Sequence, residues 1–433
     1  MNRYEYQQAF GDWDKTSPLM QKAIKHWLRL YYDQEKTKER NPSQRIAYTV
    51  VQKILRTVFC EYQAACPSSF YQGVLAALNS QRLEAMQQAL IAGSCFIRPY
   101  PTAKGFEFDL IPRQNVLIFE RDLSGNVVDM GTMETSSRDR WYYTLLERRR
   151  LNKDGLLVLE NRLYRSLNDQ SLGQQVSLKE HPFYEDLQEQ YTFPADLGGI
   201  GVVEMKTPML NCVDGSYDGV SVYGAAAGLI DLIDCNEAQL AGEFERGQSR
   251  IIASKDLLDE TDQLTQTLFV GLDEDPQQVG LTIFAPQLRE QSYIARKQEY
   301  LRSVESVIGL QRGMLSDVNV QDRTATEVAA SEGEFNLTVM DFQRMWESAV
   351  QKVMMLCQAL AKVYGLTSEA LQPVSMDWGN GILHDEDKLW LDYKDMVQRG
   401  LIAPEVALGW RFGMAADTPE DRAAIRARYM PAT

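Results

Sequence analysis

The sequence of 433 residues contains only three histidines and six cysteines, and the cysteines form no C-x-x-C pair. Structural zinc sites and disulfide scaffolds both need clustered ligands, so neither is expected here. The sequence also lacks a G-x-S-x-G segment and any Gly-Lys dipeptide. The nucleophile turn of α/β hydrolases and the phosphate-binding loop of ATPases are therefore excluded.

Long apolar runs and an excess of positive charge are absent as well. No run is long enough to cross a bilayer and the first residues are polar, so we expect neither a membrane span nor a secretory signal. Free thiols without such a signal are typical of a reducing cytoplasm. Lys and Arg number 45 against 60 Asp and Glu, a net charge of −15. Tight binding to DNA phosphates requires a basic face, which this balance disfavours over most of the chain.

The first half of the sequence changes from a helical to a β pattern. Apolar residues recur every three or four positions over 20–31 and 46–58, which predicts amphipathic helices. From Ser94 to about Lys206, short β-branched and aromatic runs are separated by turn residues, as at Ser124-Gly125-Asn126 and Lys153-Asp154-Gly155. We therefore expect a helical N-terminal part followed by an antiparallel sheet.

The second half is dominated by helix-forming sequence, interrupted once by short β-like runs. A loop rich in Asp and Gly at 211–219 precedes a predicted helix over 221–246, and strands and turns over 251–286 precede a second helix over 288–309. A gap containing glycine over 310–323 then leads to a long amphipathic helix over 324–364, with weak helix formers near Gly333. The tail is predicted to contain one short strand and two or three helices. The sequence predicts an α+β fold.

Three local patterns suggest chemistry but are incomplete. Asp214, Ser216 and Asp218 imitate the start of a calcium-binding loop, yet Ala225 stands where the bidentate carboxylate is required. The glycine cluster at 198–201 precedes a strand and lacks the spacing of a dinucleotide-binding loop. The acidic runs Asp273-Glu274-Asp275 and Asp385-Glu386-Asp387 offer carboxylates for Mg²⁺, the second of them beside His384.

Several motifs in fixed order resemble the portal proteins of long-tailed bacteriophages. They are Gly219-Val-Ser-Val-Tyr-Gly224, Leu229-Ile-Asp-Leu-Ile-Asp234, Glu243-Phe-Glu-Arg-Gly247, Thr324-Ala-Thr-Glu-Val328 and Val374-Ser-Met-Asp-Trp378. The order of helical start, β-rich middle, helix, insertion, helix, loop and long helix is similar too. The segment Trp378-Gly-Asn-Gly381 departs from the acidic stretch expected there.

This resemblance implies a ring, usually dodecameric, at one vertex of the viral head. The implied division is a wing at 1–218, a first stem helix at 219–250, a small α/β clip insertion at 251–286, a second stem helix at 287–309, a tunnel loop at 310–323, a long helix of the wing at 324–365 and a helical crown at 366–433. Small residues at the start of the first stem helix suit close packing between neighbouring subunits.

The resemblance also implies where the functional residues lie. The tunnel loop, expected to line the DNA channel, contributes Gln311, Arg312, Ser316, Asp317, Val318, Asn319, Gln321 and Arg323. The clip, expected to face the packaging motor, contributes Asp256, Asp259, Glu260, Asp262, Asp273, Glu274 and Asp275. No catalytic residue, metal or cofactor is implied.

The implied partners are further copies of this chain, the terminase large subunit, a head-completion adaptor, and the major capsid or scaffold protein. Double-stranded DNA would pass through without tight binding, since each phosphate neutralised by Lys or Arg adds affinity that slows translocation. The expected location is the capsid portal vertex of the virion, with the host cytoplasm during assembly.

Two other functions remain open from the residues alone. A metal-dependent phosphodiesterase or nucleotidyltransferase would use one acidic cluster and depend on Asp275 or Asp385. A monomeric adaptor of the same virion would differ from a portal only in its oligomeric state.

Overall fold

The computed structural model describes residues 3–32, 43–247, 250–254, 269–272, 282–284, 287–317, 325–379 and 386–430. Helices account for 46% of the residues and antiparallel sheets for 20%, so the predicted α+β class is confirmed. The chain divides into two compact units, Met1–Val58 with Ala65–Val374, and Phe59–Ala64 with Ser375–Thr433.

The helices of the first unit follow the apolar periodicity of the sequence. In the second and third of them the buried side chains recur every three or four residues, as the sequence predicts. The described helices are α1 (Arg3–Phe10), α2 (Pro18–Tyr32), α3 (Ile46–Val58), α4 (Ser69–Ser80), α5 (Arg82–Ala92), α6 (Ala227–Arg246), α7 (Glu290–Ile308) and α8 (Ala325–Tyr364). Helix α8 is one continuous element through Gly333, where the sequence suggests a weak point.

The β-rich middle forms two antiparallel sheets. Their strands are β2 (Ser94–Thr102), β3 (Gly105–Pro112), β4 (Val116–Arg121), β5 (Val127–Arg138), β6 (Trp141–Leu151), β7 (Leu157–Ser166), β8 (Gln174–Val176), β9 (Gln190–Thr192) and β10 (Val203–Lys206). The smaller sheet has the order β10–β2–β3, and the larger has the order β4–β5–β6–β7–β8 with β9 also paired to β7.

Side-chain caps fix both predicted hairpin turns. Asp122 accepts hydrogen bonds from the backbone amides of Ser124 and Asn126 between β4 and β5. Asn152 accepts hydrogen bonds from the backbone amides of Asp154 and Leu156 between β6 and β7. Asx side chains favour such turns because they bond the backbone two residues on, and both predicted hairpins are confirmed.

Between α6 and α7 the chain forms a small mixed sheet. Strand β11 (Arg250–Ser254) lies in the centre, parallel to β12 (Phe269–Leu272) and antiparallel to β13 (Thr282–Phe284). The strands predicted over 251–286 are thus confirmed where that segment is described, and the turns predicted between them lie outside the described residues.

The second unit contains the C-terminal helices. A two-stranded sheet pairs β1 (Gln63–Ala65) with β14 (Ser375–Asp377), and α9 (Glu386–Gln398), α10 (Pro404–Phe412) and α11 (Pro419–Tyr429) follow. Helix α11 begins with a complete capping box between Thr418 and Asp421. The short strand and helices predicted for the tail are confirmed, whereas the pairing of that strand with residues near 64 was not predicted.

A buried ionic cluster joins the two antiparallel sheets of the first unit. The Glu147 carboxylate of β6 accepts hydrogen bonds from Arg98 of β2 at 2.8 Å and from Arg149 of β6 at 2.6 Å. Arg98 also bonds Asp109 of β3 at 2.7 Å. Burial by itself raises the pKa of Glu147, but the charges and hydrogen bonds of Arg149 and Arg98 outweigh it and lower the pKa to about 2.

We expect Glu147→Gln to lower the free energy of unfolding at pH 7 by about 3–5 kcal/mol, because the buried Arg149 guanidinium loses its counter-charge and the buried Arg98 guanidinium loses the more buried of its two hydrogen-bonded carboxylate partners, keeping Asp109. The folded pKa of Glu147 lies near 2, below the value of about 4.3 expected when unfolded. The stabilisation is therefore present above about pH 4.3 and is lost as pH falls towards 2. Denaturant unfolding of both proteins as a function of pH measures this, and their difference should shrink on acidification.

Glu180→Gln is the matched control, since Glu180 pairs with Arg165 at 2.7 Å with both side chains about a third exposed. Its expected loss is about 0–1 kcal/mol. Equal losses for the two variants would contradict the importance of the buried cluster.

Candidate functional site

The segment before α6 packs tightly against α2, α5 and the glycine that follows α5. Gly93 and Gly219 cross so closely that a Cβ on either would collide with backbone atoms of the other. Beyond the crossing, Ser221 Oγ and the Val222 amide donate to the Leu90 carbonyl of α5 at 3.0 and 2.9 Å. The buried Tyr223 hydroxyl donates to a carbonyl of α2 at 2.9 Å. This packing holds residues 219–226 outside the helix, so α6 begins at Ala227 rather than near the predicted Ser221.

Helices α6 and α7 form an antiparallel pair held by polar contacts along its length. Arg289 donates three hydrogen bonds to the carboxylate of Glu243, and the side-chain bonds from Arg289 lower the pKa of Glu243 to about 2. Lys297 lies 2.8 Å from Glu237 further along the pair. Asn236 donates at 3.1 Å to the backbone carbonyl of Tyr293, which lies between Arg289 and Lys297 on α7.

The eight residues after α7, 310–317, fold back onto that helix; we call them the anchored loop. Gly309 ends α7 in a left-handed conformation. The Glu305 carboxylate, 1% exposed, then accepts hydrogen bonds from the amides of Gly313, Leu315 and Ser316 at 3.1, 2.5 and 2.8 Å. Ser316 Oγ donates a fourth at 2.8 Å.

One further pair of bonds ties the end of the anchored loop to α7. The Asp317 amide donates to Gln298 Oε1 at 2.8 Å, and Gln298 Nε2 donates to Asp317 Oδ2 at 2.9 Å. Gln298 and Glu305 are seven residues apart and so lie on the same side of the helix. The loop is thereby attached to two successive regions of α7.

The structure describes half of the residues predicted for the DNA channel. Gln311 is half-buried and Arg312 and Asp317 are exposed, whereas Ser316 is buried and its hydroxyl is used within the loop. Ser316 thus has no free hydroxyl to offer to DNA in this conformation. The other predicted channel residues, Val318, Asn319, Gln321 and Arg323, lie outside the described residues, and the channel role of the whole set stays a prediction.

The acidic residues predicted for the motor-facing clip, and the histidine and aspartate considered for a metal site, are not among the described residues. The seven predicted clip residues, Asp256, Asp259, Glu260, Asp262, Asp273, Glu274 and Asp275, lie outside the described residues, as do His384 and Asp385. Among the residues that are described, no group of three or more His, Cys, Asp or Glu side chains is arranged to hold a metal ion. No described helix is long and apolar enough to cross a membrane.

The turn that imitates a calcium-binding loop uses its carboxylates internally. Asp214 accepts hydrogen bonds from Ser17 and Asn211. Asp218 is 6% exposed and pairs with Arg121 at 2.8 Å and Arg113 at 3.4 Å. These contacts attach the turn to β4 and the residues before it, just ahead of the segment that leads into α6.

Sequence reasoning missed Glu305, although a signal was present. Leu301, Val304 and Ile308 form the buried stripe of α7, and Glu305 falls within that stripe at helical spacing. A carboxylate on the apolar face of a helix requires a partner, because an unsatisfied buried charge is strongly unfavourable. The partner itself was not predictable, since the donors are backbone amides of the following loop.

The end of α7 also contacts α8. A Cβ at Gly309, whose φ is +76°, would lie 2.7 Å from Thr338 Oγ1. Thr338 Oγ1 in turn donates to the Gly309 carbonyl at 3.3 Å. The anchored loop therefore starts from a point fixed by both helices.

We expect Gly309→Ala to destabilise the unit by more than Gly365→Ala. Gly365, after α8, has a φ of +62° with nothing within 4 Å of its Cβ position. Gly365→Ala should therefore lower the free energy of unfolding only by the cost of a left-handed alanine, about 1–2 kcal/mol. Gly309→Ala should lose about 1 kcal/mol or more in addition, from overpacking against Thr338. Denaturant unfolding measures both losses, and in a Thr338→Ala background the difference should narrow. Equal losses in every background would contradict the close contact.

A sequence model of the phage portal protein family, SPP1 Gp6-like, matches residues 77–417, most of the chain. No individual curated protein matches the chain. The matched residues include both antiparallel sheets, the α6/α7 pair, the anchored loop and α8, so the resemblance read from short motifs is confirmed over these elements. Portal proteins are structural components of the phage particle, not enzymes. The chain belongs to the phage portal protein family, SPP1 Gp6-like.

Proposed function

We propose that this protein forms the ring at one vertex of a phage capsid through which double-stranded DNA is packaged and ejected. In this proposal the ring is built from about twelve copies, docks the terminase and the head-completion adaptor, contacts the capsid or scaffold protein, and catalyses no reaction. The observation that carries the proposal is the family match over residues 77–417. Assembly takes place in the host cytoplasm.

The arrangement of α6 and α7 supports their assignment as the stem. The mixed sheet connects the end of α6 to the start of α7, and the anchored loop follows the other end of α7. Nineteen residues of helix separate these two features, a distance of about 28 Å along the axis. We assign the sheet to the motor-facing clip and residues 310–323 to the tunnel loop.

One face of α6 supports a role in assembly. Gly228, Leu232 and Cys235 follow one another at helical spacing, carry no charge and are exposed in the single chain. Ala225, in the turn just before the helix, is exposed as well. Ala226 and Ala227, the other small residues of this region, are buried within the chain. A neighbouring copy seated on the exposed face would bury apolar area and approach the helix closely at the small residues.

The native mass of the purified protein tests the proposal most directly. We expect a particle of about twelve times the chain mass of 49.3 kDa, with a central hole in negative-stain images. Light scattering gives the mass. A monomer or dimer at all concentrations would refute the ring.

Leu232→Glu, which places a charge on the exposed face of α6, should shift the protein towards monomers. Leu123→Glu is the matched control, since Leu123 is 99% exposed at the tip of the β4–β5 hairpin. The control should leave the ring intact, and equal disruption by both substitutions would contradict assembly through α6.

Replacement of residues 317–321 by alanine should reduce the amount of packaged genome while the ring still assembles, because these residues are proposed to face the DNA and not a neighbouring stem. Asp317 is the one residue of this segment with a described contact, and that contact is exposed. Packaging reactions with rings of equal mass measure the effect. An unchanged yield of packaged genome would refute the assignment of residues 310–323 to the tunnel loop.

A further inference from the structure

We propose that Glu305 is a positioning residue which fixes residues 313–316, in the first half of the tunnel loop, against α7 and so sets the point from which the loop continues beyond Asp317. The inference rests on the proposed function only for the role of the loop. The anchoring itself is a property of the folded chain.

The partners of Glu305 are all dipoles in the part of the chain that the structure describes. Three backbone amides and one hydroxyl converge on its two carboxylate oxygens, with no Lys or Arg paired to it. A buried carboxylate without a cation is stable only where such donors are supplied in full. In this conformation the loop supplies four donors to Glu305, and Glu305 in turn holds the loop in it.

Glycine at two positions makes this conformation possible. Gly309 leaves α7 at a φ of +76° and Gly313 has a φ of +94°, both in the region that other residues rarely adopt. Between them the chain reverses so that the Gly313 and Leu315 amides point back at α7.

The anchor determines where the chain leaves the helix. Gln298 holds Asp317 at the outer end of the loop, and Glu305 holds residues 313–316 nearer the helix end. Two attachments on one helical face oppose both translation and rotation of the loop relative to α7. Asp317 immediately precedes the other proposed channel residues in the sequence, so a change in the anchor changes the position from which they begin.

Glu305→Gln tests this with little change in volume. The amide retains one acceptor oxygen and places an NH₂ group against donors, so the amides of Gly313, Leu315 and Ser316 should exchange hydrogen about tenfold faster or more. Glu299→Gln is the matched control on the same helix, because the 62% exposed Glu299 pairs with Arg302 three residues on and makes no hydrogen bond to the described residues of the loop. In the Glu299→Gln variant, the amides of Gly313, Leu315 and Ser316 should exchange hydrogen at the wild-type rate.

The same rings are then tested in packaging. We expect Glu305→Gln rings to package less genome than Glu299→Gln rings of equal mass. Unchanged exchange in residues 310–317 would overturn the anchor, and faster exchange with unchanged packaging would overturn its positioning role. If Glu305→Gln fails to assemble, Ser316→Ala removes one donor and should give a smaller increase of about threefold in exchange; no increase would refute the proposal.

The two proposals fail in different ways. A wild-type protein that never forms a ring refutes the portal function, while the exchange measurement on the single chain still decides whether Glu305 anchors the loop.

Discussion

The first unit depends on one buried carboxylate held between two guanidinium groups. Glu147 lies where the smaller sheet meets the larger one, and Arg98 and Arg149 reach it from β2 and β6. Arg149 also donates to the carbonyls of Ile200 and Gly201 ahead of β10. Buried ion pairs contribute less to net stability than apolar packing of equal volume, but they tolerate few alternative geometries. The cluster therefore fixes how the two sheets meet.

Glu305 shows a second way to bury a carboxylate in the same unit. Its charge is balanced by amide and hydroxyl dipoles that belong to one short loop. One partner of Glu147, Arg98, is 49 residues away in sequence and belongs to the other sheet. The partners of Glu305 all belong to the loop that follows its helix. The first arrangement joins two sheets, and the second holds a loop against the helix that precedes it.

Most elements of the fold were predictable from the sequence because their signals are local. Apolar periodicity gave α2, α3 and α8, and Asx and Gly turns gave the hairpins β4–β5 and β6–β7. The start of α6 was predicted too early, because the packing of residues 219–226 against α2 and α5 overrides their local preference. The pairing of β1 with β14 was missed because it joins segments about three hundred residues apart.

The sequence by itself determined the α+β class, the order of elements and the portal family, since periodicity, turn chemistry and motif order are written along the chain. Only the tertiary structure decided which acidic residues matter to the fold. Glu147 looks like any other glutamate in the sequence, Glu305 shows there only as a charge on an apolar helix face without its partners, and Ser316 looks like a free polar side chain of a loop. Whether a charge is buried, and which distant or backbone groups satisfy it, depends on how the elements pack, and that geometry does not exist until the chain has folded.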